Sequence, residues 1–118
     1  MRRPGEILEK LERVVASRRG EPTDRSYTSR LLSGGVPMIG AKVTEEAAEL
    51  VAAAASETDE RVVAETADLL YHTLVLLAFR QVPLARVEDE LARRFGISGL
   101  DEKASRASRA DTAGGAST

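Results

Sequence analysis

Residues 69–79 read LLYHTLVLLAF. The run is apolar almost without pause and shows no alternation of period two. Such a run belongs to a buried helix rather than to a half-buried strand. Upstream it is bounded by a polar break at 56–59, where Ser56, Thr58 or Asp59 can cap a helix. A helix over 59–80 is therefore expected. A helix that is apolar all round needs cover on every side. The other helices of a chain this short can hardly supply it, so the run predicts a homodimer. A monomeric four-helix bundle is the plainer alternative.

The neighbouring segments read as helices too. One is expected over 38–56, with Ile39, Val43, Ala47, Leu50, Val51 and Ala54 as its apolar stripe. Its alanine run at 52–55 is strongly helix-forming. Before it, SYTSRLL (26–32) forms a short helix that Gly34 and Gly35 break, and Pro37 and Gly40 mark a loop or turn. Ile7, Leu8, Leu11, Val14 and Val15 recur at helical spacing. They predict a helix over 4–18 with Pro4 in its first turn. Val82-Pro83 opens a last helix over 83–95, with Leu84, Val87, Leu91 and Phe95 on one side, and Gly96 stops it. The expected fold is an all-α bundle of four to five helices with no β-sheet. The domain should span 1–103. The tail 104–118 is rich in Ala, Ser, Gly and Thr without an apolar anchor, and is expected to be disordered.

Bulk composition narrows the function. The chain has 118 residues, enough for one small domain. Net charge is −2 and aromatics are 3%, which leaves neither a basic footprint nor stacking platforms for nucleic acid. There is no cysteine, which removes thiolate metal sites and cysteine nucleophiles. The N-terminus MRRPGEILEKLERV has no apolar run of the secretory kind. The run at 69–79 is too short to span a bilayer. A soluble cytoplasmic protein without membrane contact is expected. GGVPMIG (34–40) lacks the Gly-Lys-Ser/Thr ending of a phosphate-binding P-loop.

Acids gather beside the apolar segments. At about 100° per residue, Lys42, Glu45, Glu46 and Glu49 fall within roughly a third of one helix circumference. The apolar stripe of that helix is centred about 120° away, so the acids should sit at the core's margin. On the next helix Glu65, Asp68 and His72 share a face. A short break at 56–59 makes the two helices antiparallel, so both acidic faces can meet in one cleft. Clustered carboxylates repel unless a cation neutralises them. Oxygen-only ligands suit a hard cation, and Mg²⁺ normally keeps waters and substrate phosphates in its shell. Acids at this spacing more often form a solvated face paired with lysine. Here Lys42 is the only base between Arg30 and Arg61.

The string EExxE followed by ExxD resembles the metal-binding signature of MazG-type nucleotide pyrophosphohydrolases. The surrounding text is more specific. SYTSRLLSGG (26–35), IGAKVTEEAAE (39–49), ETADLLYHTLVLLA (65–78) and VEDELARRFGISGLDEKASR (87–106) together resemble the phosphoribosyl-ATP pyrophosphatase family, in order over roughly 5–106. The resemblance implies a MazG-like fold, a dimer and a cytoplasmic enzyme. It also implies Mg²⁺-dependent hydrolysis of 1-(5-phosphoribosyl)-ATP to 1-(5-phosphoribosyl)-AMP and pyrophosphate, the second step of histidine biosynthesis. Glu46, Glu49, Glu65 and Asp68 match the metal-binding acids, and Glu45 is placed to orient or deprotonate water. Lys42 either contacts phosphate or pairs with Glu45, Glu46 or Glu49. Tyr27, Thr28, Arg93, Arg94 and Lys103 match family-typical stretches and are candidate substrate contacts or surface groups. His72 is a further candidate, as a substrate contact or as a hydrogen-bonding support. Members often have glycine where this chain has Thr44. Two rival readings are a house-cleaning nucleoside triphosphate pyrophosphohydrolase and a non-catalytic helical dimer.

Overall fold

The computed structural model describes residues 2–96 and is helical throughout: α1 (Glu6–Ser17), α2 (Tyr27–Ser56), α3 (Asp59–Arg80) and α4 (Leu84–Phe95). No strand occurs among the described residues. The all-α expectation holds and fits a MazG-like bundle. The proposed tail and Lys103 lie outside the described residues. The chain divides after Val82 into one compact unit holding α1–α3 and a second that begins at Pro83.

The apolar run at 69–79 forms the second half of α3, whose predicted bounds of 59–80 are met. Thr58 caps it, its side chain accepting from the Arg61 backbone N–H. At its far end Gln81 turns left-handed, φ 58°, and the Arg19 guanidinium donates to the carbonyls of Ala78 and Phe79. The Ala78 carbonyl also accepts from the Gln81 backbone N–H, so Arg19 adds a side-chain donor to the last turn's carbonyls. A helix of 22 residues is also about 33 Å long, so α3 as formed could cross a bilayer by length and composition, unlike the 11-residue run alone. Instead it is the central helix of its unit, packed against α1 and α2.

The largest departure from expectation is in α2. No loop separates 32 from 38. Helical geometry breaks at Gly35 alone, φ 72° and ψ −164°. That region is essentially closed to side chains. The Phe79 ring also lies 3.6 Å from where a Cβ would stand. Pro37 falls in the first turn after the break, where its missing N–H costs nothing, and Gly40 is helical. The break reverses the chain. Tyr27 and Glu46 both reach His72, yet 19 residues of straight helix would part them by about 28 Å. Hence α2 is two arms, 27–34 and 36–56, folded back at Gly35. Ser26 caps the first arm by accepting from Ser29 N–H.

Three smaller expectations are corrected. Helix α1 starts at Glu6 behind a left-handed Gly5, so Pro4 precedes the helix. Ile7 and Val14 are exposed while Val15 is buried in the core with Leu31, Leu32, Ile39 and Val75. In α2 the buried residues of the second arm are Ile39, Glu46 and Ala53, spaced by seven. Glu46 therefore stands on the buried stripe, not at its margin, while Val51 is 69% exposed. Two helical turns make about 7 residues, so a stripe of that spacing faces α3 directly.

Candidate active site

Helix α3 repeats the same spacing of seven. Glu65 and His72 are buried on the face that meets α2. The pairings run Glu49 beside Glu65, Glu46 beside His72 and Gly35 beside Phe79. Falling numbers meet rising ones, so the second arm of α2 and α3 are antiparallel, as the short connection predicts. One carboxylate oxygen from each of Glu46, Glu49 and Glu65 lies within 4.8 Å of the other two. Glu46 is 7% exposed and Glu65 4%.

Such a cluster is strained as long as it is anionic. The Glu49 carboxyl is held above its ordinary value, first by its hydrogen-bonding contact with Glu46 and then by burial. Glu65 is also pushed up, first by burial, then by Glu49, with Asp68 adding to the effect. Arg61 opposes this at Glu65, donating to Oε2. The other oxygen, Oε1, is buried with no hydrogen-bond partner. A buried acceptor left unpaired costs free energy unless something else binds it. The hard oxygen donors, their crowding within 4.8 Å and this unsatisfied atom all fit a divalent cation such as Mg²⁺. Glu46, Glu49 and Glu65 would hold it.

The remaining predicted residues divide into three groups. Asp68 is exposed one turn along α3 and outside the close trio; its charge reaches Glu65 and its carbonyl accepts from His72 Nδ1 at 2.9 Å. Glu45 is exposed and pairs with Lys42 at 3.3 Å, so of the two readings for Lys42 the ion pair is the one present. This pairing raises the Lys42 ammonium above its usual value. Thr44 turns its hydroxyl back to the Gly40 carbonyl at 2.9 Å, on an exposed face, so its branched side chain is accommodated without reaching the acids.

Behind the acids stands an aromatic group. The Asp68 carbonyl can only accept, so His72 Nδ1 carries the proton, and in the neutral ring Nε2 accepts from the Tyr27 hydroxyl at 3.0 Å. Both ring nitrogens are thereby engaged by protein. His72 Nδ1 also lies 3.5 Å from Glu46 Oε1. Thr28 hydrogen-bonds the Tyr71 hydroxyl, and the Tyr27 and Tyr71 rings stack at 6.3 Å. Burial raises the Tyr27 hydroxyl above its ordinary value, helped by Tyr71 and Glu46 and opposed by Lys42 and Arg30. Arg30 sits 5.6 Å over the Tyr27 ring. On α4, Arg93 and Arg94 both donate to Glu90, forming an ion-pair cluster along that helix. Sequence reasoning passed over Arg61. Its place four residues before Glu65 was the available signal.

The family model for phosphoribosyl-ATP pyrophosphohydrolase matches residues 8–95. The chain belongs to that family. Relatives named phosphoribosyl-ATP pyrophosphatase agree over nearly their whole length. The protein of Trichlorobacter lovleyi is 54% identical over 100 residues, 85% of this chain and 93% of that one. That of Erythrobacter litoralis is 52% identical over 99 residues, covering 84% and 95%. That of Paramagnetospirillum magneticum is 50% identical over 109 residues, covering 92% and 100%. The match to the pyrophosphohydrolase family takes in all the acids of α2 and α3, both arms of α2 and the Gly35 break.

Proposed function

We propose that this chain hydrolyses 1-(5-phosphoribosyl)-ATP to 1-(5-phosphoribosyl)-AMP and pyrophosphate, the second step of histidine biosynthesis, at the carboxylate trio with Mg²⁺. The observation that carries the reading is the convergence of one carboxylate oxygen from each of Glu46, Glu49 and Glu65, together with the buried, unpartnered Glu65 Oε1, in a chain of the pyrophosphohydrolase family. Bound among these oxygens, Mg²⁺ would offset the charge of the triphosphate and make a water more acidic. Asp68, one turn along α3, adds a fourth acid to the cation's surroundings.

The chain's own groups supply the rest. Water oxygen bonds to the α-phosphorus, the α–β phosphoanhydride breaks, and pyrophosphate leaves with the bond's electron pair. Glu45 lies outside the trio and is the candidate acceptor of the water's proton. Lys42, one turn before Glu46, is placed to steady a phosphate oxygen by leaving Glu45. Tyr27, with Arg30 over its ring, offers a surface for the base or ribose, and Thr28 lies beside it. Arg94 and Lys103 remain candidates for phosphate contact.

The same reading includes a homodimer. Val63 is 67% exposed, and Ala67 and Leu70 continue an apolar stripe at helical spacing along the outside of α3. Val51 adds to the exposed apolar surface. A second copy would cover it. The family name and the absence of thiols agree with work in the cytoplasm.

The test is pyrophosphate release from the purified protein with phosphoribosyl-ATP, with and without Mg²⁺, beside ATP and dUTP. Mg²⁺-dependent release selective for phosphoribosyl-ATP is expected. Equal release from the plain triphosphates would make the protein a house-cleaning enzyme. No release from any of them would leave a non-catalytic helical module.

A further inference from the structure

Glu65, a member of the trio, has one free carboxylate oxygen. Its Oε2 accepts from Arg61 Nη2, four residues earlier on α3, while Oε1 is buried and without a partner. Arg61 is itself held from the other side. Its Nε donates to Glu57 Oε1 at 3.3 Å, and its backbone N–H to Thr58 Oγ1 at 3.2 Å. The guanidinium is thus bracketed between an acid one turn before it and an acid one turn after.

A glutamate carboxylate can rotate and present either oxygen, or both, to a cation. A donor held in place at one oxygen restrains that rotation and keeps the bonded oxygen occupied. We propose that Arg61 is a positioning residue for the cation site, turning Glu65 so that Oε1 alone faces Glu46 and Glu49. Glu65 is then a one-oxygen ligand. The inference rests on the reading of the trio as a cation site.

Arg61 also carries a positive charge, which repels a cation on its own account. Positioning and repulsion predict opposite changes when Arg61 is removed. The probe is Mn²⁺ alone, titrated into the full-length protein without substrate, with free Mn²⁺ counted by electron paramagnetic resonance. Arg61→Ala should weaken binding roughly tenfold, the lower end of what losing an outer partner of a ligand costs. Arg61→Gln keeps a donor and loses the charge, and should bind at least as tightly as the wild type. Excess metal should restore the kcat of Arg61→Ala, which a collapsed site would not allow. Binding by Arg61→Ala as tight as the wild type's or tighter would overturn the proposal, as would an equal loss in Arg61→Gln. Glu65→Gln separates the two levels. If it also binds Mn²⁺ like the wild type, the cation site itself is wrong. If it loses binding while Arg61→Ala does not, only the role of Arg61 falls.

Discussion

Glu65 carries opposing demands on one side chain. It is buried, ionisable and paired on one oxygen only. Replacing it by glutamine keeps the shape and removes the charge. Turnover of phosphoribosyl-ATP should fall by more than ~100-fold, beyond the usual cost of losing an outer partner of a ligand, with helical circular dichroism unchanged. Near-wild-type turnover would remove Glu65 from the site. A pH effect follows from the same side chain. The Glu49 and Glu65 carboxyls are raised above their ordinary values in the folded protein, by the neighbouring carboxylate and by burial respectively. The folded protein therefore holds these protons more tightly than the unfolded chain. The associated stability is fully present below the ordinary carboxylate range and is lost as pH rises through the raised folded values. Thermal melts in chelator should show Tm falling over that interval. The fall should be smaller in Glu65→Gln, and Mg²⁺ should reverse it in the wild type only.

At the scale of the helices, Gly35 decides how the site is assembled. Its φ and ψ let Tyr27 fold back onto the His72 that Glu46 also approaches. Gly35→Ala should cost about 1–3 kcal/mol, the range for a residue forced into such a conformation. Denaturant unfolding measures this. Gln81 is the reverse case: a non-glycine residue in the left-handed region at the end of α3. Gln81→Gly should raise stability by about 0.5–1 kcal/mol, again by denaturant unfolding. Helix α3 was legible because apolar periodicity, a Thr58 cap and length agreed. The break in α2 fell where Gly34 and Gly35 marked it, but its extent was overread, because Pro37 and Gly40 look like the same local punctuation. Only Gly35 breaks the helix, and tertiary contacts with Phe79 and His72 set the direction of the fold-back.

At the scale of the molecule, the outward apolar stripe on α3 is the surface a single chain leaves uncovered. Val63→Glu or Leu70→Glu should turn a dimeric species into monomer in sedimentation velocity. A wild type that sediments as a monomer would contradict the homodimer. The acids themselves were legible from spacing, because residues three, four and seven apart share a helix face. Spacing did not reveal that Glu46 lies in line with Ile39 and Ala53, since the counted stripe included Val51 and Ala54, which the fold leaves outside. Nor did it separate Asp68 and Glu45 from the close trio, which depends on how two helices approach. The most direct measurement is an anomalous difference map from crystals soaked in Mn²⁺ with the substrate's triphosphate mimicked by a non-hydrolysable analogue. A peak within bonding distance of one oxygen from each of Glu46, Glu49 and Glu65 is expected. A map with no peak there, or with the ion held elsewhere, would contradict the assignment of the trio as the centre of the pyrophosphohydrolase reaction.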